Sequence, residues 1–301
     1  MKIIIGGGGG FIGQHLTRYL LEQGSEVVIL DRNRPRISLP KLHWFRADLL
    51  KPELFERDWF TGVDAVINLS GRDIFTFWND EARKAIWESR VTVNKNLIGF
   101  ISSLDRKPEV FVSASAVGYY GDKGDAEVDE SSPRGRGFLS DVCEAWEKEA
   151  REAEKLGMRS VQVRTAPVLE KSGGILKQVL KSFRFGFALT FGPGNTWFPW
   201  VHMNDLIRIY HFVVTNEHIS GPVNAGSPNP VRFLDFINHL KQFNKALVLP
   251  LPIFILKLLL QETADVVLFS QRMVPAKLIK NNFKFSYPKL GDALDDIFSK
   301  R

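Results

Sequence analysis

Short β-branched runs alternate with longer stretches of helical apolar spacing through the first half of the chain, the pattern of β-α-β units feeding a parallel sheet. Lys2 to Ile5 reads as a strand, Phe11 to Gln23 as a helix stopped by Gly24, and Glu26 to Leu30 as a second strand. Further strands are expected at His43 to Arg46, Ala65 to Leu69, Val110 to Ser113 and Ser160 to Val163, with helices over Asn79 to Leu104 and Phe138 to Leu156. The fold class predicted is α/β, a doubly wound parallel sheet with a smaller, mostly helical C-terminal region. After Arg164 the regularity fades: Gly, Pro and aromatic residues crowd Gly186 to Trp200, and helical patterns dominate from Phe233. The expected division is a sheet domain over 1–165, to which segments from about 201–226 return, and a C-terminal region over 166–301. The most apolar stretch, Ala246 to Leu260, reads as a buried helix with a proline-rich lead-in at Pro250 and Pro252. It is shorter than the ~20 residues that span a bilayer, so no membrane partner is expected.

A length of 301 residues suits one large α/β unit or two domains. The net charge of +6 raises nucleic acid as a partner, but the Lys and Arg residues are scattered and form no dense basic cluster, so no nucleic acid is expected. The lone cysteine, Cys143, allows no intramolecular disulfide, which suits a reducing compartment. The opening apolar run breaks at Gly6, too early for a signal-peptide core, and a cytoplasmic address follows as the expectation. Six histidines at irregular spacing suggest no metal. The oligomeric state is open.

Chemistry enters at Gly6-Gly7-Gly8-Gly9-Gly10-Phe11-Ile12-Gly13, which follows a strand and opens a helix. Gly8, Gly10 and Gly13 match G-x-G-x-x-G, while Gly7, Gly10 and Gly13 match the G-x-x-G-x-x-G spacing of short-chain dehydrogenases. Without Cβ atoms such a backbone turns tightly and approaches a pyrophosphate, whose charge meets free N–H groups and the helix dipole. The alternative is a merely flexible turn, but strand, helix and second strand on schedule favour an NAD(P)-binding Rossmann fold. Asp31, ending the second strand, sits where a carboxylate bonds the ribose hydroxyls of NAD, and Arg32 where a cation meets the extra phosphate of NADP. The two signals conflict, though Arg32, Arg34 and Arg36 make the local field positive. Either residue can equally be a solvated surface charge.

With that loop, Asp64-Ala65-Val66-Ile67-Asn68-Leu69-Ser70-Gly71, the run from Val112 to Gly121 and Phe198-Pro199-Trp200-Val201-His202-Met203-Asn204-Asp205-Leu206 resemble extended short-chain dehydrogenase/reductases over nearly the whole chain. More narrowly, the chain is similar to their atypical nucleoside-diphosphate-sugar epimerase-like branch. Ser270-Gln271-Arg272-Met273-Val274-Pro275 and Phe283-Lys284-Phe285-Ser286-Tyr287-Pro288 resemble that branch's tail, about 246–297 here. The resemblance implies that Phe11 and Ile12 join the loop contacts, and that Leu69, Ser70 and Gly71 pass the nicotinamide half of the cofactor. It further implies that Arg90 touches the cofactor and Val168 lines the nicotinamide pocket. Leu69 and Val168 as plain core, and Arg90 as a helix surface charge, stay open. Relatives in the branch resemble NADP binders, which makes NADP the expected cofactor and NAD the alternative.

Most of the superfamily uses a Tyr-x-x-x-Lys pair on a helix, in which the lysine lowers the tyrosine pKa. By spacing from Ser115, Leu139 and Cys143 fall at those positions, and neither does the same work. Ser115 aligns with the superfamily's substrate-carbonyl donor, and Tyr119 or Tyr120 stands close enough to offer a hydroxyl. These three are the candidate catalytic residues, although Ser115 could cap a turn and the tyrosines could pack an aromatic wall. His202 precedes a helix for which Asn204 or Asp205 is the expected N-cap. Trp197, Phe198 and Trp200 read either as a cleft wall or as core. The expected function is an NAD(P)-dependent oxidoreductase or epimerase-like enzyme acting on an unidentified small substrate. A non-catalytic cofactor sensor or scaffold is the alternative.

Overall fold

The computed structural model describes residues 1–299. Its central sheet has seven strands, all parallel: β1 (Lys2–Gly6), β2 (Glu26–Asp31), β3 (Leu42–Arg46), β4 (Ala65–Asn68), β5 (Val110–Ala116), β6 (Arg159–Thr165) and β7 (Gly221–Ala225). Their spatial order is β7-β6-β5-β4-β1-β2-β3, so the order reverses beside β1, where open α/β sheets bind ligands. Alternate residues explain the winding. Ile3, Ile5, Val27 and Ile67 pack under α1 (Phe11–Glu22) and α6 (Met203–Thr215), whereas Ile4, Val28, Val66 and Phe111 pack under α3 (Val93–Ser102) and α4 (Phe138–Arg151). Strands buried on both faces read as continuous apolar runs, as Ile3 to Ile5 does.

A further core forms where α5 (Gly174–Phe183), α7 (Phe233–Leu240) and the helix Leu290–Ser299 enclose Phe198 and Trp200. The tail then returns to the sheet domain: Arg272–Met273 pairs in parallel with Glu127–Val128, and the Lys277 amide donates to Glu130.

The segment 246–260 departs from expectation. Leu247–Leu251 is a strand pairing with Phe187–Phe191, and only Ile253–Leu260 is helical, with Phe254 71% and Leu258 78% exposed. Proline accounts for the division, since Pro250 and Pro252 lack the amide donors a helix needs and hold their predecessors extended. Among the described residues no helix is long and apolar enough to cross a membrane, and no group of three or more His, Cys, Asp or Glu is placed to hold a metal ion.

Candidate functional site

The loop from β1 into α1 has room for backbone alone. Gly7 has φ +73°, and a Cβ there would lie 3.0 Å from the Ser70 amide nitrogen. At Gly13 it would lie 2.7 Å from the Gly7 carbonyl oxygen, and at Gly8 2.8 Å from the Ile29 side chain. The two glycine registers therefore serve different needs: Gly7 makes the turn, Gly8 lets the loop settle on β2, and Gly13 lets the helix approach. The Gly10 amide donates to the Gly7 carbonyl at 3.0 Å. Gly10 then starts α1 with no side-chain cap, and the first-turn amides of Phe11, Ile12 and Gly13 are those a helix cannot satisfy internally.

Asp31 closes the other side of this loop. Its Oδ2 accepts from the Gly9 amide and its Oδ1 from the Asn33 amide, both at 3.0 Å, so the carboxylate is turned back into the backbone. Arg32 is exposed at the rim of a trough of about 550 Å³ that also takes in Gly7, Gly10 and Asp31 and, unforeseen from sequence, Asp48, Leu49 and Arg72. Arg34 instead lies over the Trp44 ring, 6.0 Å from its centroid.

Beyond the trough lies a cavity of about 360 Å³, and Leu69, Ser70 and Gly71 line both. Phe11, Ile12, Arg90, Ser115 and Val168 line the cavity as well, so the loop, the end of β4 and β5 converge there. Val168 is held by a short parallel pairing with Val201. Ser70 Oγ is buried at the junction with no hydrogen-bond partner. Below it, Asn68 donates to Asn94 at 2.7 Å, and Asn94 in turn donates to Ser113 and to the Trp146 carbonyl at 2.9 and 3.1 Å. This buried amide chain ties β4, α3, β5 and α4 together.

Arg90 lies in one turn of π-helix, Glu88–Thr92, between α2 (Asp80–Trp87) and α3. Its Nη2 donates to the Arg72 carbonyl at 2.9 Å, and its guanidinium carbon stands 5.3 Å from the Trp146 ring centroid. Burial pulls its pKa down, opposed by Cys143 and Asp73. The extra residue of the π turn brings this charge inward, where such turns often serve function.

Ser115 donates to Glu147 Oε1 at 2.7 Å, so its one hydroxyl hydrogen is committed and it has lone pairs to offer. The expected carbonyl donor is thus an acceptor in this arrangement. Arg164 holds the same carboxylate. Burial opposes the Arg164 charge, yet hydrogen bonding to Glu147 raises its pKa. Neither tyrosine lines the cavity. The Tyr120 hydroxyl donates to Asn224 Oδ1 at 2.6 Å and accepts from Arg164 at 2.9 Å, and burial pushes its pKa well above the ordinary tyrosine range. The Tyr119 ring stacks on the Arg164 guanidinium at 3.5 Å. Both rings therefore meet Arg164, which is linked to the cavity through Glu147 and Ser115. Leu139 and Cys143 do line the cavity, one turn apart on α4, and burial followed by the nearby Glu147 charge pushes the Cys143 thiol up to about 12.

In the C-terminal part Trp197 and Phe198 line the cavity, whereas Trp200 is fully buried and donates to the Asn229 carbonyl at 3.1 Å. The N-cap of α6 is His202 itself, whose Nδ1 accepts from the Asn204 amide at 3.1 Å, in place of the expected Asn204 or Asp205. Asp205 sits inside the first turn and binds the tail. Gln271, also unforeseen, donates to the Val117 and Gly121 carbonyls at 3.2 and 2.9 Å and lines the cavity.

Residues 3–226 match the NAD dependent epimerase/dehydratase family, and residues 251–297 match a domain of unknown function, DUF1731. The chain is 34% identical to the epimerase family protein SDR39U1 homolog, chloroplastic, of Arabidopsis thaliana, over 98% of this chain and 86% of that protein. It is 32% identical to the epimerase family protein YfhF of Bacillus subtilis, over 100% and 99% of the two. The crystal structure of human epimerase family protein SDR39U1 (isoform 2) with NADPH superposes with a TM-score of 0.87 at 28% identity, covering 100% of both chains.

Proposed function

The chain belongs to the NAD dependent epimerase/dehydratase family, and from that premise we propose that it is an NADP(H)-binding oxidoreductase or epimerase-like enzyme acting on a small molecule in the cavity. The carrying observation is the first β-to-α crossover, where backbone alone faces the trough and α1 begins without a side-chain cap. Such a start suits a diphosphate. Ser70 Oγ, buried and unpartnered at the junction, supports a ligand that runs from trough to cavity. The similar human protein was crystallised with NADPH, and the side chains here fit that cofactor: Asp31 is engaged by the loop amides, leaving Arg32 at the rim for an extra phosphate.

The bound dinucleotide supplies hydride exchange at its nicotinamide ring. Around that ring, Leu69, Gly71 and Val168 exclude water and Arg90 contributes a fixed charge. Ser115, oriented by Glu147, is the proposed acceptor for a substrate hydroxyl, and Tyr119 and Tyr120 are positioning residues that act through Arg164.

Titration with NADPH and NADH tests the reading. NADPH is expected to bind more tightly, and Arg32→Ala to weaken it by about 1.5–3 kcal/mol, the range for a charged hydrogen bond, with NADH unaffected. Binding of neither dinucleotide overturns the proposal, and equal loss for both overturns the choice of NADP. Turnover of carbonyl compounds with bound cofactor then tests the enzyme assignment.

A second reading, a non-catalytic sensor or scaffold, is favoured by Leu139 and Cys143, which cannot move a proton at the positions of the usual pair. It expects a protein partner that binds only one of the cofactor-free and cofactor-loaded states. An identical set of pulled-down partners in both states overturns it.

A further inference from the structure

A nucleoside diphosphate sugar brings two phosphates and a ring of hydroxyls, and a site for it must supply cations and amide or hydroxyl partners. The cavity does not. Facing one another across it are Ile74 and Phe75 from the loop after β4, Leu139 and Val142 from α4, and Val266 and Phe269 from the C-terminal part. Val266 packs against the cluster of Ile74, Leu139 and Val142, so the C-terminal part closes the wall with more hydrocarbon. Among the described lining residues the only cation is Arg90, already donating to the Arg72 and Ile86 carbonyls. The helix start on the wall, Gly174, sits against the Phe11 ring.

A neighbouring depression of about 700 Å³, which shares Phe191, Thr196, Asp265 and Phe269 with the cavity, repeats the mismatch. It carries Asp122, Asp125 and Asp265 against Arg232 and Lys257. Arg232 donates to Asp125 at 2.7 Å and lies over Trp197, so its charge is spent internally. A diphosphate at this depression meets three carboxylates with Lys257 alone to offset them, and beyond them an apolar wall.

We infer that the cavity takes a neutral, hydrocarbon-rich carbonyl compound or the corresponding alcohol, and not a nucleoside diphosphate sugar. The inference rests on the cofactor reading above, because a dinucleotide that runs from the trough past Leu69, Ser70 and Gly71 sets its nicotinamide at one end of the cavity and leaves the remainder, walled by Ile74, Leu139, Val142 and Val266, as the substrate compartment. Its dimensions fall within the range of small-molecule sites, which are largely apolar with a few polar anchors. Ser115 and Gln271 are the anchors on this floor, and because the Ser115 hydrogen and the Gln271 amide hydrogens are already donated, both offer lone pairs that suit the hydroxyl of the alcohol.

The test uses the full chain with and without saturating NADPH, followed by the fluorescence of N-phenylnaphthylamine, a neutral apolar probe. Saturable binding is expected, with displacement by methyl octyl ketone and none by UDP-glucose. Val266→Glu, and separately Phe75→Glu at a half-exposed position, should weaken the probe by roughly ten-fold or more, since each sets a carboxylate against the ligand. NADPH affinity, read in the same samples, should be unchanged. Displacement by UDP-glucose in preference to the ketone overturns the inference, as does unaltered probe binding in both variants. If NADPH itself fails to bind the parent chain, the cofactor reading falls first and this inference with it.

Discussion

The Arg164 guanidinium grips the Glu147 carboxylate with two hydrogen bonds, Nε to Oε1 at 2.8 Å and Nη2 to Oε2 at 2.9 Å, and both side chains are almost wholly out of water. This pair joins β6 to α4 directly under Ser115. A buried ion pair adds little net stability as a whole, but losing one member strands the other, at about 3–5 kcal/mol. Glu147→Gln and Arg164→Met are each expected to cost that much in urea denaturation. The joint replacement Glu147→Leu/Arg164→Met should cost far less. Additive losses in the double variant would show that the two side chains do not act as a pair.

Two glycines on helices should respond in opposite directions. A Cβ at Gly13 would stand 2.7 Å from three backbone atoms of Gly7 and Gly8, which can move only if the crossover moves. Gly13→Ala is therefore expected to cost about 1–3 kcal/mol through overpacking and to abolish NADPH binding. Gly99, inside α3, has nothing within 4 Å of its Cβ position, and Gly99→Ala should stabilise by about 0.5–1 kcal/mol through reduced freedom of the unfolded chain. Thermal melts with parallel NADPH titration check both. Retained cofactor binding in Gly13→Ala would mean the crossover is not the diphosphate site.

What the sequence made legible was whatever has a short period. Ile3 to Ile5, the glycine loop and the strand at Glu26 are local patterns, and they led directly to the sheet and to the trough beside it. The cavity floor is different in kind. Glu147 shares its helix with Glu144 and Glu149, and nothing nearby in sequence tells a buried carboxylate from solvated ones, because its partner Arg164 lies on another element. Asn68 and Asn94 are hidden in the same way. Proximity in sequence to Ser115 suggests Tyr119 and Tyr120 as hydroxyl donors, but the turn after β5 carries their rings onto Arg164. At 246–260 apolar content suggests burial, whereas the prolines decide the backbone and leave Phe254 and Leu258 facing out.

Cys143 is expected to be inert as a thiol. Its pKa, ordinarily near 9.0, is pushed up to about 12 by burial and then by Glu147. At pH 8 almost no thiolate forms in the folded chain, and thiol reagents should label it only at the rate of unfolding. Linkage gives a second readout. Because the folded-state pKa is raised, the contribution of Cys143 to stability is complete below pH 9 and is lost as pH rises from there toward 12. Cys143→Ala should flatten that part of the stability profile. Rapid labelling at neutral pH under native conditions would refute the assignment.

Asp205 joins the sheet domain to the tail. It is buried, and its two oxygens accept from the Ser286 and Tyr287 amides at 2.8 and 2.9 Å, while the Pro288 carbonyl next in line accepts from Ser227 at 2.9 Å. A charged acceptor serving two backbone donors makes stronger bonds than a neutral one, so Asp205→Ala should cost at least about 1.5–3 kcal/mol. Asp205→Asn keeps an acceptor oxygen and should cost less. Since two of the three lost bonds lie at the tail and the third, from Arg208, stays within the same helix, the opening should be local. Amide exchange is expected to accelerate around 283–288 well before it does in β1 or α1, and proteolysis should nick the tail first. Uniform acceleration across the sheet would mean instead that Asp205 supports the whole fold, not the docking of the tail.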